Sequence, residues 1–248
     1  MDPIALAVIG GTGVYTLAQL DDVTTVELDT PYGAPSGPIR VGTLGGARVA
    51  FQARHGEGHS IAPHRINYRA NIDALRQLGV TRVLALNTVG GITENWGPRV
   101  LGCPDQLIDY TWDRIATFCE EDGSDVLHVD FGQPYTPALR AQVLAAAQRA
   151  GVTVVDGGCY AATQGPRLET NAEIVRLRRD GCDLVGMTGM PEAGLAREAG
   201  LAYACLAIVA NWGAGCAGDE EITMAEVLAN VAAASAGIPA LVAELAKE

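Results

Sequence analysis

Residues 201–210 form the longest uninterrupted apolar run in the chain. A membrane span needs about 20 such residues, so this run is too short to cross a bilayer. It suits a strand buried on both faces, the kind found at the centre of a sheet covered by helices. Shorter runs at residues 4–9, 47–53, 83–86, 152–155 and 182–185 read as further strands. Helix signals fall between them. Tyr68, Ile72 and Leu75 recur at helical spacing before Gly79, and Thr136-Pro137 reads as a cap and first turn for a helix ending before Gly151. Residues 172–179 read as a basic-faced helix, and 191–199 as another, capped by Gly200. From Ile222 onward the pattern is helical, broken by Gly237 and Pro239. Such alternation predicts an α/β fold: one domain over residues 1–248, with a mixed, largely buried β-sheet flanked by helices.

The chain has 248 residues, of which 48% are hydrophobic and 19% charged, enough to bury a sizeable core. Seventeen Lys and Arg against 29 Asp and Glu give a net charge of −12. Nucleic-acid binding relies on basic surface, so that class is disfavoured. Residues 1–3, Met-Asp-Pro, do not read as a signal peptide, and the expectation is a cytoplasmic, soluble protein with no membrane partner. Six cysteines form no CxxC pair and four histidines no HExxH, so neither a metal site nor a disulfide framework is expected.

In α/β folds ligands collect at the carboxyl ends of strands. Polar and glycine-rich segments fall there at residues 10–13, 54–59, 87–91, 186–188 and 211–213, which predicts one composite pocket. Gly10-Gly11-Thr12-Gly13 after a strand invites a dinucleotide reading, with Asp29 at a suitable distance. The third fingerprint glycine is missing, however. Only about nine residues separate the loop from the next apolar stretch, short of a parallel crossover. A plain turn remains open. An anion-binding loop fits better, with bare N–H groups and the Thr12 hydroxyl facing an oxyanion.

These motifs recur in order with Ala53-Arg54-His55-Gly56, Asn67-Tyr68-Arg69-Ala70-Asn71, Asn87-Thr88-Val89-Gly90-Gly91, Gln164-Gly165-Pro166-Arg167 and the stretch from Gly186 to Glu192. Together they resemble the trimeric purine nucleoside phosphorylase and methylthioadenosine phosphorylase family, over roughly residues 4–236 and nearest its methylthioinosine branch. The resemblance implies a nucleoside phosphorylase-like fold, a homotrimer, and a pentosyltransferase that needs inorganic phosphate as co-substrate but no cofactor or metal. Its phosphate ligands would be Thr12, Arg54, His55, Asn87, Thr88 and Thr188, with Met187 against the ribose.

Asn211 and Gly213 stand where the adenine-specific members carry aspartates, with Trp212 between them. An amide donates to a 6-oxo group and accepts from protonated N7, which makes Asn211 the catalytic candidate. Glu169 would accept from N1–H of a 6-oxopurine, and Leu168 replaces a stacking aromatic. No histidine stands where the family places one near the 5′-hydroxyl. Met224 and Val227 fall there instead, on one face with Val231, and suit a 5′-methylthio group. The expected reaction is phosphorolysis of S-methyl-5'-thioinosine to hypoxanthine and 5-methylthioribose 1-phosphate, a purine-salvage step. The alternatives are a general 6-oxopurine (inosine or guanosine) phosphorylase, a methylthioadenosine phosphorylase, a hydrolytic nucleosidase, or a non-catalytic purine-binding protein.

Overall fold

The computed structural model describes residues 3–14, 17, 19–120, 125–218 and 221–248. Eleven strands form one mixed sheet. β1 (Leu6–Gly10) pairs in parallel with β4 (Ala47–Ala53) and with β5 (Arg82–Gly91). β2 (Asp21–Val26) and β3 (Ile39–Leu44) extend the β4 side as an antiparallel edge. The predicted apolar run is β11 (Ala202–Trp212), which lies parallel to β5 along its whole length. Beyond β11 come β6 (Leu101–Cys103) and β8 (Val155–Asp156). The other branch is β10 (Leu184–Gly186), β9 (Cys159–Ala162) and β7 (Gln106–Asp109).

The period of two along β11 explains why its sequence is apolar throughout. Ala204, Leu206, Ile208 and Ala210 face a core shared with α2 (Pro137–Arg149), α5 (Met224–Ser235) and α6 (Ile238–Ala246). Tyr203, Cys205, Ala207 and Val209 face a second core with α1 (Tyr68–Gln77) and α4 (Glu192–Glu198). A third, smaller cluster includes Ile174 and Leu177 of α3 (Asn171–Arg179). No single helix among the described residues is long and apolar enough to cross a membrane.

Helix ends follow the expected chemistry. Asn67 caps α1 by accepting from the Ala70 N–H, and Thr170 with Glu173 closes a capping box on α3. Gly79, Gly151, Gly181 and Gly200 all take positive φ at helix ends, where the next residue's N–H bonds back into the last turn. Thr136 occupies its cap position but not its cap role: its hydroxyl accepts from the Tyr203 N–H at 3.0 Å and ties α2 to β11.

Several boundaries differ from expectation. β8 covers only the end of the 152–155 run, and β10 starts two residues later than expected. The larger correction concerns β5, which does not stop at Leu86 but runs through the polar motif to Gly91. Its outer edge changes partner on the way. β1 pairs with β5 only as far as Ala85, and β10 takes over at Gly90. Between them, residues 86–89 have no strand on that side. The dinucleotide arrangement is absent as well, because the first strand after the glycine loop is an exposed antiparallel edge and Asp29 lies outside it.

Gly91 allows β5 to continue past this gap. A Cβ there would lie 1.6 Å from the Trp96 carbonyl oxygen, while the Gly91 carbonyl accepts from the Gly213 N–H at 2.7 Å. Gly91→Ala must displace backbone, so a loss of about 1–3 kcal/mol is expected from overpacking, read as a lower denaturation midpoint at unchanged m-value.

Candidate active site

A cavity of about 270 Å³ opens over the gap in β5. All five predicted segments contribute to it: Thr12, His55, Thr88, Met187 with Thr188, and Asn211 with Gly213 line its wall. Leu168, Glu169, Met224 and Val227 line it too. Three predicted residues do not: Arg54, Asn87 and Trp212.

Arg54 is fully buried beneath the glycine loop, where a Cβ on Gly11 would come within 3.1 Å of its Nη1. Its fork is turned away from the cavity. Nε and Nη2 donate to the two oxygens of Glu192 at 2.6 and 2.8 Å, and Nη1 donates to the Leu86 carbonyl at 3.0 Å. That carbonyl lies in the unpaired stretch of β5, so the guanidinium replaces a missing strand neighbour. Burial acts to lower the Arg54 pKa, but the Glu192 carboxylate more than offsets it and holds the group charged. Tyr203 also donates to Glu192 at 2.8 Å. Arg54 thus differs from a cation offering its fork to an oxyanion: a carboxylate already neutralises it.

Asn87 works behind the wall as well. Its oxygen accepts from Arg54 Nη2 at 3.3 Å, and its nitrogen donates to the Thr188 hydroxyl at 3.0 Å. Thr188 therefore accepts from the protein and keeps its own proton for a ligand. Thr88 is the reverse case, since its hydroxyl donates to the Thr12 carbonyl at 2.7 Å and pins the glycine loop to β5.

The backbone fixes the ring of His55. Its Nδ1 lies 2.8 Å from the Ile61 carbonyl, which can only accept, so Nδ1 carries the proton and Nε2 is an acceptor. Burial, with nearby Arg54 and His59, pushes its pKa down to about 4 and keeps the ring neutral at physiological pH. His59, missed in the sequence beyond its place in the 54–59 segment, lines the cavity with its ring 4.3 Å from that of His55.

Glu169 accepts from the Thr163 hydroxyl at 2.7 Å, and burial raises its pKa. Asn211 Nδ2 donates to the Trp212 carbonyl at 2.7 Å, which fixes the amide and leaves one N–H and the oxygen for a ligand. A bulge between Val209 and Asn211 resets the alternation of β11. Trp212, which stands between the candidate residues Asn211 and Gly213, then packs against Gly97 and does not line the cavity. Val227 is buried, whereas Met224 is 61% and Leu168 49% exposed at the cavity's edge. Glu192 was also missed. Its one sequence signal was a carboxylate closing the Gly186-to-Glu192 motif. Among the described residues, no group of three His, Cys, Asp or Glu side chains could hold a metal ion.

Two measurements follow. Glu192→Ala leaves a buried guanidinium without its counter-charge, and a loss of about 3–5 kcal/mol is expected in denaturant unfolding. For His55, histidine-labelled NMR should give a Nδ1–H tautomer and a titration midpoint near 4. Because the folded pKa lies below the unfolded value, this group's contribution to stability is complete above about pH 6.5 and falls as the pH drops toward 4. A midpoint near 6.5 would contradict the assignment.

Comparison with known proteins supplies the family. A protein of Xanthomonas campestris pv. campestris named "Probable S-methyl-5'-thioinosine phosphorylase" is 76% identical over 244 residues, covering 98% of each chain. One of the same name from Xylella fastidiosa (strain Temecula1) is 69% identical over the full length of both. Among solved structures, a methylthioadenosine phosphorylase from an antarctic soil metagenomic library superposes with a TM-score of 0.91 at 35% identity. That match covers 99% of this chain and 86% of the other. The sequence pattern of the Phosphorylase superfamily extends over residues 5–247, and the chain belongs to that superfamily.

Proposed function

We propose that this protein is a purine nucleoside phosphorylase-type pentosyltransferase that converts S-methyl-5'-thioinosine and phosphate into hypoxanthine and 5-methylthioribose 1-phosphate. The observation that carries this reading is a single cavity combining free hydroxyl donors with an amide and a carboxylate suited to a 6-oxopurine. Thr12 and Thr188 offer donors to phosphate, and the neutral His55 accepts the proton that phosphate retains. Arg54 and Asn87 act from behind, one by holding the loop and strand, the other by orienting Thr188. No cofactor enters this scheme, and phosphate is a co-substrate.

A phosphate oxygen attacks C1′ as the glycosidic bond breaks, and the bonding pair leaves on the base. The sugar passes through an oxocarbenium-like state beside the phosphate anion, which stabilises it. The departing base takes up a proton at N7 from solvent, balanced by the proton that hydrogen phosphate releases on becoming the sugar ester. The Asn211 amide oxygen accepts from that N7–H, and its free N–H donates to the 6-oxo group. Glu169 accepts from N1–H, a bond that 6-aminopurines cannot offer. Raised by burial, the Glu169 carboxylate gains from such a donor.

Met224 and Val227 form the apolar wall for the 5′-methylthio group. The proposed assembly is a cytoplasmic homotrimer, in which a neighbouring chain covers the exposed edges of Met224 and Leu168. Met224 as it stands gives only a partial wall, an observation that favours the general 6-oxopurine nucleoside phosphorylase as the second reading.

A comparison of kcat/KM across methylthioinosine, methylthioadenosine, inosine and adenosine, with and without phosphate, tests the proposal. Base release should collapse without phosphate; equal turnover yielding free sugar would mean a nucleosidase. Each unpaired buried polar group costs about 1–3 kcal/mol, so the 6-oxo over 6-amino preference should be on the order of a hundredfold, eroded by Asn211→Asp. A buried unpartnered 5′-hydroxyl costs about 1–3 kcal/mol, and the lost methylthio contact about 1–2 kcal/mol. Methylthioinosine should therefore exceed inosine by about 30-fold or more. Values within a few-fold of each other would establish the second reading.

A further inference from the structure

Arg114 lies in the irregular segment between β7 and α2, outside every motif discussed above. It does not line the cavity, yet it touches the two chain segments that do. Nη1 donates to the Met187 and Met190 carbonyls at 2.8 and 2.6 Å, and Nη2 to those of Thr163 and Gln164 at 3.2 and 2.7 Å. Nε donates to the Gln164 side-chain oxygen at 3.1 Å, which accepts the Trp112 N–H as well. All five guanidinium protons are thus engaged, and every one of these partners is a neutral oxygen. The cation also lies 5.8 Å from the centre of the Tyr68 ring.

The position of these bonds gives them their meaning. β9 and β10 run side by side only as far as Ala162 and Gly186, and one more backbone bond joins Thr163 to Gly186. Beyond that, one chain continues to Glu169 and the other to Met187 and Thr188. Thr163 holds Glu169 through its hydroxyl. Met187 sits over Gly165, where a Cβ would lie 2.4 Å from its sulfur. Arg114 is the bracket that spans the two segments where the sheet no longer holds them.

We propose that Arg114 is a positioning residue that sets the spacing between the base-facing wall (Thr163 to Glu169) and the sugar-facing wall at Met187. This rests on the nucleoside reading of the cavity. A lysine keeps the charge but has three donors at one point and cannot reach four carbonyls in two directions. Phosphate contacts through Thr12 and His55 lie on other segments, and the Thr188 hydroxyl is held separately by Asn87 of β5 at 3.0 Å, so phosphate binding should be largely spared.

The test is steady-state kinetics of the intact protein with Arg114→Lys, Arg114→Ala and, as a milder lesion, Gln164→Met. A displacement of about 1 Å can cost a hundredfold in rate. Arg114→Lys should therefore lower kcat/KM for methylthioinosine by about 30- to 100-fold, mainly through nucleoside KM, with phosphate KM changed less than about threefold. Gln164→Met should show the same split at about fivefold, and it decides the matter if the Arg114 variants fail to fold. Added guanidinium at tens of millimolar should restore part of the activity of Arg114→Ala. Calorimetric binding of hypoxanthine should weaken in parallel in each variant.

Nucleoside and phosphate KM moving together, or neither moving, would overturn the proposal. A wild type without phosphate-dependent turnover overturns the phosphorylase reading instead, and hypoxanthine affinity then decides the role of Arg114. A wild type that binds no hypoxanthine overturns both.

Discussion

The arrangement of this molecule depends on a guanidinium placed where a sheet is interrupted. β5 loses β1 after Ala85 and gains β10 at Gly90, which leaves a strand edge bare at the centre of the fold. Bare edges inside a protein must be satisfied. Arg54 does so at the Leu86 carbonyl, and Glu192 balances the charge this introduces, with neither side chain exposed to solvent. Such a pair gives little net stability over apolar packing, but losing one member is costly. Its value lies in geometry: it holds β4, β5 and the start of α4 in register around a space that no strand fills.

From that space the hydroxyl orientations follow. Arg54 holds Asn87, Asn87 donates to Thr188, and Thr188 is left with a free proton. Thr88 donates its own proton to the glycine loop and fixes the loop's distance from β5. One proton is kept available and the other is consumed, though both residues are threonines on the wall of one cavity. Burial of His55 works in the same direction, since a neutral ring with a fixed tautomer presents an acceptor rather than a charge.

Much of this was readable before any coordinates. The apolar run of β11, the strand over residues 47–53 and the glycine-terminated helices follow local rules, and local rules are visible in sequence. The convergence of five polar segments on one cavity was also legible, because strand polarity orders their ends. What was hidden depended on distant partners. Arg54 looked like a free cation because Glu192 stands 138 residues away. Trp212 looked like a cavity residue because a bulge cannot be counted from an apolar run. Arg114 carried no signal at all, since its partners are backbone carbonyls, and every residue has one.

Among the described residues, the lining of the cavity includes no lysine and no arginine, and the chain as a whole carries a net charge of −12. An incoming anion therefore meets a repulsive field outside and, within, oriented dipoles with the Glu169 carboxyl on the wall but no cation. Electrostatic steering, which accelerates many encounters between opposite charges, works here in the opposite sense. Mobile counter-ions shorten the reach of that repulsion to about 8–10 Å at ordinary ionic strength. Association of a dianion should accordingly quicken as salt is added, the reverse of the usual behaviour of a phosphate site built on exposed cations. Selection among oxyanions then falls to the number and direction of hydrogen-bonding groups, and to which oxygens of the anion still carry a proton.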